Sequence, residues 1–423
     1  STTTCTRRTT LRSSTMRSSL LVLALALTAS ASQLTKEVEQ RRDAQPEGYL
    51  NLGRAPRDHS ITLSFFLEQP AEGVAQLETE LLERSNPKSE KYAQWLSNDQ
   101  VHSLVAPAST SVGAVVDFIE SFGAVADPRT PNSDVITTTV RVETAEKMLD
   151  AEYNVYQHEN SRGRGEYITR TLGYSVPVEL PVAFVGPTTH FARANTYAKA
   201  MDAKEAAAQV TNDPDNLRAL YNVDDTLGGQ AADNRQAVTA FLGQYYKASD
   251  LTKFWSTQYP AGADTPIKLV GDATTGFVAG VESMLDIEYM PALGALNPTE
   301  FWGYSGSSPL NSEDEPFLTW LYAVGNTSDA EVPLVFSTSY GEDEPTEAPS
   351  SYAARINVEF MKCGARGISL LFASGDSGAA SDAGTCTGGE DGTQFMPMWP
   401  AASPYVTAVG GVVNGAMPES AWS

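Results

Sequence analysis

The chain has 423 residues, of which 41% are hydrophobic, and its formal net charge is −23. This size and apolar content allow the cores of two or three domains and exclude a disordered or fibrous chain. Residues 197–423 hold 10 basic and 29 acidic side chains, a net charge of −19. So acidic a surface repels nucleic acids and anionic membranes, and its self-repulsion falls as carboxylates protonate, which suits an acidic compartment. An acidic surface also serves solubility alone, and composition does not decide between the two interpretations.

The N-terminal segment has the pattern of a targeting sequence. After Met16, Arg17 is followed by an apolar stretch at residues 20–27 and by small residues at 29–31. This order predicts a secretory signal peptide at residues 16–31. The Ser, Thr and Arg content of the same segment leaves an organelle transit peptide as the alternative. No other apolar run approaches the roughly 20 residues that cross a bilayer, so no membrane anchor is expected.

Residues 46–190 alternate short β-rich segments with amphipathic ones. The clearest strands and helices are predicted at residues 60–66, 71–84, 112–122 and 135–142. This mixture favours a compact α+β unit. Residues 191–210 lose the strand pattern and become rich in Ala, Lys and Glu, which predicts a linker at a domain boundary. Thr211 or Asn212 is then expected to cap a short helix that ends at Leu220.

From residue 236 onward, strands and helices alternate. Strands are predicted at residues 237–242, 267–270, 334–339, 368–373 and 406–409, and helices at residues 249–258, 281–293 and 351–366. Near-continuous apolar strands between helices indicate an α/β fold with a buried parallel sheet. Catalytic side chains are expected where these strands end.

The histidines limit the possible chemistry. All four, His59, His102, His158 and His190, precede the predicted linker. This excludes a histidine-dependent triad, or a histidine-rich metal site, confined to the later part of the chain. Any general base there is a carboxylate, a lysine or a tyrosine.

The three cysteines do not form a disulfide framework or support a thiolate metal site. Cys5 would leave with the signal segment, Cys363 is expected to be an inert core thiol, and Cys386 lies in a polar loop where it is open to pairing with a cysteine beyond residue 423. The single Asn-x-Ser/Thr acceptor is Asn326, for which we predict a surface loop and glycosylation.

Glu282 and Asp286 are the first candidate site residues. Their i, i+4 spacing on a predicted helix places both carboxyls on one face. Two carboxyls this close share a proton, because the charge of one raises the pKa of the other, and the pair then relays a proton at acidic pH. A solvated acidic helix face has the same spacing and is far more common, so the spacing alone does not decide.

A polar turn follows the predicted strand at residues 368–373. It consists of Ser374, Gly375, Asp376, Ser377 and Gly378. Its glycines permit the close backbone approach that a ligand-facing loop needs, which makes Asp376 a candidate; a plain turn is the alternative. The segment also imitates the nucleophile motif of chymotrypsin-like proteases, which would make Ser377 catalytic. We reject that interpretation, because the all-β fold of those enzymes needs a histidine in the same unit.

Several blocks of the sequence together resemble the sedolisin, or serine-carboxyl, peptidases. The matching blocks are residues 89–97, 282–289, 315–320, 339–343, 370–379 and 399–411. The resemblance spans about residues 46–415. It implies an α/β, subtilisin-like peptidase domain at residues 213–423, an α+β activation propeptide at residues 33–195, and a linker with the activation cleavage region at residues 196–212.

The resemblance also implies a role for each candidate residue. Glu282 would act as the general base toward a serine, Asp286 would orient Glu282 and share its proton, and Asp376 would line the oxyanion hole. A protonated carboxylic acid at Asp376 would donate a hydrogen bond to the developing oxyanion. This chemistry requires low pH.

The chain departs from the family pattern at the nucleophile. The family's Gly-Thr-Ser motif does not occur in the 423 residues, and both this motif and the family's calcium site are expected beyond residue 423. The chain is therefore interpreted as partial and is not expected to be active by itself.

The function that the resemblance implies is that of a peptidase precursor. Its substrates would be peptides or proteins, its own propeptide would be an intramolecular inhibitor, and its destination would be the lysosome, the vacuole or the cell exterior. Release of tripeptides from free N termini is the leading hypothesis, and internal cleavage by a sedolisin endopeptidase is the alternative. A noncatalytic inhibitor or folding helper is a third hypothesis if the natural message ends after residue 423.

Overall fold

The protein is represented by a computed structural model. It describes residues 35–37, 43–45, 48–158, 167–191, 212–223, 234–263, 265–276, 279–294, 297–306, 315–343, 350–376, 378, 395, 397–413 and 420–421. The predicted signal peptide, nearly all of the linker, Ser377 and Cys386 lie outside the described residues. Residues 35–423 cluster as one compact unit. Within it we distinguish an N-terminal region, residues 35–191, and a C-terminal region, residues 212–421.

The N-terminal region is built from antiparallel strands and four helices. Its strands are β1 (Thr35–Glu37), β2 (Tyr49–Arg54), β3 (Ser60–Leu67), β4 (Asp127–Pro128), β5 (Val135–Arg141), β6 (Asn154–His158), β7 (Ile168–Arg170), β8 (Ser175–Pro177) and β9 (Val182–Gly186). Its helices are α1 (Ala71–Ser85), α2 (Asn98–Leu104), α3 (Ser109–Ser121) and α4 (Val142–Leu149). The larger sheet has the order β4-β5-β3-β9, and smaller sheets pair β2-β6-β7 and β1-β8. The predicted α+β unit is confirmed.

Strand β3 shows why both faces of the larger sheet are buried. Leu63 and Phe65 point into a core formed with α3 and α4. Phe66 points the other way, stacks on Phe184 with ring centroids 4.1 Å apart, and joins the main core of the C-terminal region. Because side chains alternate across a strand, one sheet serves two cores.

The C-terminal region alternates strands and helices. Its strands are β10 (Gln236–Ala240), β11 (Ile267–Val270), β12 (Thr299–Gly303), β13 (Val335–Thr338), β14 (Glu342–Asp343), β15 (Ser369–Ala373), β16 (Met398–Trp399), β17 (Thr407–Val409), β18 (Val412–Val413) and β19 (Ser420–Ala421). Its helices are α5 (Pro214–Leu220), α6 (Ala248–Gln258), α7 (Val281–Leu293), α8 (Phe317–Asn326) and α9 (Ser350–Ala365), with a short 3₁₀ helix at Pro260–Gly262.

Six of these strands form a parallel sheet of order β11-β12-β10-β13-β15-β17. Residues of α6 and α7 pack on one face with Val238 and Phe301, and residues of α8 and α9 pack on the other with Ala237 and Trp302. The predicted α/β class is confirmed. Since a helix between parallel strands runs back across the sheet, α8 and α9 begin near the carboxyl edge of the sheet and end near its amino edge.

Local details differ from the sequence-based predictions. The cap of α5 is Asp213, and not Thr211 or Asn212: its carboxyl accepts a hydrogen bond from the Asn216 amide at 2.9 Å. Asp213 precedes Pro214, which is a favoured residue in the first turn. Strand β12 was not predicted.

Asn326 is exposed, but it is the last residue of α8 and not part of a loop. Its Nδ2 donates to the carbonyl oxygens of Tyr322 and of Arg129, at 2.7 and 2.9 Å. Cys363 is buried, and burial raises the pKa of its thiol to about 12, which confirms an inert core thiol. Among the described residues, no helix is long and apolar enough to cross a membrane.

Candidate active site

Helix α7 begins at the carboxyl edge of the sheet, because the loop after β10 holds its first turn. The side-chain oxygen of Gln244 accepts a hydrogen bond from the Glu282 amide at 3.2 Å, and the Tyr245 carbonyl accepts from the Gly280 amide at 3.0 Å. A Cβ at Gly280 would lie 2.2 Å from that Gln244 oxygen, so only glycine fits there. Gln244 therefore satisfies an amide of the first helical turn that α7 cannot pair internally.

Glu282 and Asp286 lie one turn apart on α7, as their spacing predicts, and both side chains are half-buried. Ser339, the first residue after β13, donates its hydroxyl proton to Asp286 Oδ1 at 2.9 Å. The other oxygen, Oδ2, is buried and has no hydrogen-bond partner among the described residues. The pair is therefore held against the end of a central strand, and not on a solvated helix face.

Both carboxyls of the pair have raised pKa values. Burial is the main cause for Asp286, and the neighbouring Glu282 charge adds to it, so that the pKa of Asp286 rises to about 7. Burial also raises the pKa of Glu282; the hydrogen bond to Ser339 opposes this, and the negative charge of Asp376 adds to it. Two coupled carboxyls of this kind hold one proton between them at acidic pH.

The Asp376 loop lies at the end of β15, the strand next to β13. The Ser374 amide donates to the Val409 carbonyl at 3.0 Å, which ties the start of the loop to β17. Gly375 has a φ of +89°, and a Cβ there would lie 2.5 Å from Met398 Cγ. This close approach requires glycine. Asp376 itself is exposed, and its charge acts on Glu282 across the site.

The structure thus brings together all three carboxyls that the sequence singles out. Sequence reasoning missed Ser339 and Gln244. Ser339 lies within one of the resembling blocks and is the last residue of a predicted strand, and this position is the signal that could have found it. Gln244 also follows a strand, but nothing in the sequence marks its contact with α7.

Metal binding is not indicated by the described residues. They contain no group of three or more His, Cys, Asp or Glu side chains placed to hold a metal ion. The calcium that the resemblance implies has no ligand set in this part of the chain, and no step proposed below passes through it.

A second cluster of titratable side chains is buried where the two regions meet. Asp134 of the N-terminal region is fully buried, and Arg355 Nη2 of α9 lies 2.7 Å from its Oδ2. Glu359 and Lys362, also on α9, form an ion pair with each other and are 3% exposed. Burial raises the pKa of Asp134, but Arg355 and Lys362 outweigh it, so that this pKa lies well below its usual value.

His102 of α2 belongs to this contact and is 4% exposed. Its Nδ1 lies 2.9 Å from the Asn98 carbonyl, and a Cβ at Gly325 of α8 would lie 3.2 Å from its Nε2. Burial and the charge of Lys362 lower the pKa of His102 to about 4. Near by, the Leu96 amide donates to the Ala365 carbonyl at 2.9 Å. The contact therefore combines apolar packing, hydrogen bonds and buried charges.

Comparison with known families matches the N-terminal region, and comparison with known proteins covers most of the chain. Residues 47–191 match the family described as "Pro-kumamolisin, activation domain". Tripeptidyl-peptidase 1 of Canis lupus familiaris is 34% identical over 408 residues, which cover 94% of this chain and 69% of the relative. The Arthroderma benhamiae protein named "Probable tripeptidyl-peptidase SED4" is 30% identical over 417 residues, with 92% and 68% covered.

One solved structure gives a distant match. It is the Pseudomonas sedolisin, a serine-carboxyl proteinase, complexed with two molecules of pseudo-iodotyrostatin. Its identity to this chain is 19% and its TM-score is 0.38, with 47% of this chain and 53% of that chain covered.

Proposed function

Because the chain belongs to the sedolisin family of serine-carboxyl peptidases, we propose that it is the precursor of an acid peptidase that releases tripeptides from free N termini. Family membership makes it a serine-type peptidase with a subtilisin-like α/β region and an activation domain. The tripeptide product, the precursor state and the roles of single residues belong to the proposal. The observation that carries it is the coupled pair of carboxyls at the carboxyl edge of the parallel sheet.

In the proposed mechanism the carboxyl pair moves the protons. Glu282 takes the proton of a serine hydroxyl as that oxygen attacks the substrate carbonyl carbon, and later gives the proton to the leaving amine. A water molecule then attacks the carbonyl carbon of the acyl-enzyme in the same way. Glu282 takes a proton from this water and gives it to the serine oxygen as that oxygen leaves. Asp286 keeps its own proton at acidic pH, because its pKa is about 7, and shares it with Glu282. Asp376 lines the oxyanion hole and stabilises the tetrahedral intermediate.

The nucleophile is not among the residues that we assign. No Gly-Thr-Ser occurs in the 423 residues, so the activity is proposed for a protein that carries this motif. We expect the N-terminal region of the 423-residue chain to stay bound to the C-terminal region, as in a precursor. We do not expect this chain to cleave peptides.

The N-terminal region is proposed to act as the intramolecular inhibitor. The match of residues 47–191 to an activation domain supports this, as does its packing against α8 and α9. We place the propeptide at residues 33–195 and its removal between residues 196 and 213. N-terminal sequencing of acid-treated precursor tests this, and a mature chain that still starts near residue 33 would exclude it. The predicted signal peptide places the protein in the secretory pathway.

Product analysis tests the main proposal. The protein expressed from its complete coding sequence is incubated at acidic pH with a long unstructured peptide, and the 423-residue chain and the Glu282→Ala variant serve as controls. Stepwise release of tripeptides by the complete protein alone supports the proposal. Internal cuts would make it an endopeptidase, and an inactive complete protein that still binds a peptidase would make it a noncatalytic inhibitor.

A further inference from the structure

Ser339 holds a place in the site that neither the carboxyl motif nor the relatives' names assign. It follows β13 directly, and β13 is hydrogen-bonded to β10 on one side and β15 on the other. Its backbone is therefore fixed by the centre of the sheet. The two carboxyls, by contrast, belong to α7, which packs on one face of the sheet with Val238 and Phe301. A hydroxyl on the rigid strand end thus contacts a carboxyl on a separate helix.

Among the described residues, only one of the two carboxyl oxygens of Asp286 accepts a hydrogen bond. Oδ1 accepts the Ser339 hydroxyl at 2.9 Å, while Oδ2 is buried without a hydrogen-bond partner among the described residues. A carboxyl that rotates freely exposes both oxygens equally. Fixing Oδ1 leaves Oδ2 as the oxygen available to share a proton, and Glu282 lies one helical turn away on the same face.

We infer that Ser339 is a positioning residue: its hydroxyl orients Asp286 so that Oδ2 and the proton it carries are directed toward Glu282. This inference rests on the proposed function, since it concerns the proton relay of the same site. Ser339 itself neither attacks the substrate nor carries the relayed proton. Its effect passes through the carboxyl pair, and at Asp286 it acts by selecting one orientation of a carboxyl that otherwise has two.

The charges around the pair agree with this role. Asp376 acts on Glu282 from the loop after β15, and the phenol of Tyr340 faces both carboxyls from the residue after Ser339. The charge of Asp376 disfavours ionisation of Glu282, while burial and the charges of the pair keep Tyr340 in its neutral form. The hydroxyl of Ser339 has the opposite effect, because its hydrogen bond favours the ionised form of the carboxyl that accepts it, which is Asp286 in this structure.

The first test is a titration of Asp286 in the 423-residue chain, with the Asp carboxyl carbons labelled with ¹³C. In Ser339→Ala the midpoint of Asp286 is expected to rise by about 1 to 2 pH units, the usual contribution of one hydrogen bond to a charged group. Ser339→Thr keeps a hydroxyl, so its Asp286 midpoint should lie close to that of the wild type. Ser337→Ala changes a half-buried serine within β13 and should leave the Asp286 midpoint unchanged. A midpoint that is the same in Ser339→Ala, Ser339→Thr and the wild type would overturn the inference.

The second test separates this inference from the proposed function. In the complete protein, Ser339→Ala should move the alkaline limb of the kcat/KM profile, where Asp286 loses its proton, to higher pH and leave KM within about twofold. If Glu282→Gln abolishes activity but Ser339→Ala leaves the alkaline limb in place, the proposed function stands and the positioning role is wrong. If Glu282→Gln leaves activity intact while the Asp286 midpoint still shifts in Ser339→Ala, the proposed function is wrong and the orientation of Asp286 by Ser339 stands.

Discussion

The carboxyl edge of the sheet and the contact between the two regions use buried carboxyls in opposite ways. At the carboxyl edge, the pKa of Asp286 is raised to about 7, and the charges that act on the pair there are negative. At the contact, Asp134 is more deeply buried, yet its pKa lies below the usual value because two cations of α9 face it. Burial pushes both carboxyls toward the neutral form, and the neighbouring charge decides the outcome.

This difference separates a proton relay from a structural ion pair. A carboxyl without a cation keeps a proton at acidic pH and can pass it on. A carboxyl beside Arg355 stays ionised, so the ion pair persists as the pH falls. The contact between the regions therefore needs another titrating group if acid is to weaken it, and His102 is such a group. Glu359, whose pKa is raised by burial, is a second titrating group of the contact, but because its native pKa is raised, its protonation does not weaken the contact.

The largest effect is expected from removing a cation of the contact. Arg355→Met leaves the Asp134 charge buried without its closest cation, which typically costs about 3–5 kcal/mol. We expect the free energy of unfolding in urea at pH 7 to fall by that amount. The stability from Asp134 is present above the ordinary aspartate pKa and is lost as the pH falls toward its lowered native value, so the variant should differ less from the wild type in strong acid.

The control for Arg355→Met is Arg57→Met, which removes an exposed arginine lying 3.8 Å from Glu143. Exposed pairs contribute about 0–1 kcal/mol, so this variant should unfold like the wild type. If Arg355→Met lost no more stability than Arg57→Met, the ion pair of the contact would not be a structural element.

The next effect concerns the carboxyl edge. Asp376→Ala in the complete protein should lower kcat by roughly 100-fold to 1,000-fold with little change in KM, the usual cost of one oxyanion-hole donor. Asp376→Asn keeps the size and a donor, and should retain more activity than the alanine variant. Steady-state kinetics at acidic pH measure both. A near-normal kcat in Asp376→Ala, with an unchanged circular dichroism spectrum, would return Asp376 to a plain turn residue.

A smaller effect is expected at His102. Its pKa is about 4 in the contact, against an ordinary value near 6.5. Its contribution to the stability of the contact is therefore complete above pH 6.5 and is lost as the pH falls toward 4. At pH 5 the equilibrium constant for closing the contact should be lower on the order of 30-fold. Three charged groups act on His102. Lys362, in the last turn of α9, and Arg366, just after this helix, oppose its protonation, and Asp134 favours it.

Hydrogen exchange measures this effect. The protection factor of the Leu96 amide, which donates across the contact to Ala365, should fall between pH 7 and pH 5 in the wild type. In His102→Gln, whose side chain does not titrate, the fall should be several-fold smaller. Amides of the central strand β10 serve as the control and should keep their protection. An equal fall in both proteins would assign the acid sensitivity to other groups.

Much of the fold could be predicted because the apolar pattern is strong. The bounds of β11 and α7 agree with the predicted ones to the residue, at Ile267–Val270 and Val281–Leu293. The three candidate carboxyls also lie together, because parallel strands bring their carboxyl ends to one edge.

The remainder depends on contacts that are distant in sequence. Strand β12 was missed because Thr299–Gly303 is short and begins with Thr and Glu, and it is the buried sheet that makes all five residues inaccessible. The strand-end position of Ser339 was a sequence signal, but its contact with Asp286 depends on the approach of α7. His102 has the sequence setting of an ordinary surface histidine, and its burial follows from the packing of α2 against α8 and α9.

The titration of Asp286 tests the carboxyl-pair account most directly, and it needs only the 423-residue chain. With ¹³C-labelled carboxyls, we expect Asp286 to titrate with a midpoint near 7, because burial and the Glu282 charge both disfavour its ionised form. Glu282→Gln should lower the midpoint, since it removes the charge but not the burial. A wild-type midpoint near 4, unchanged in Glu282→Gln, would show two independent carboxylates and would contradict a shared proton at this site.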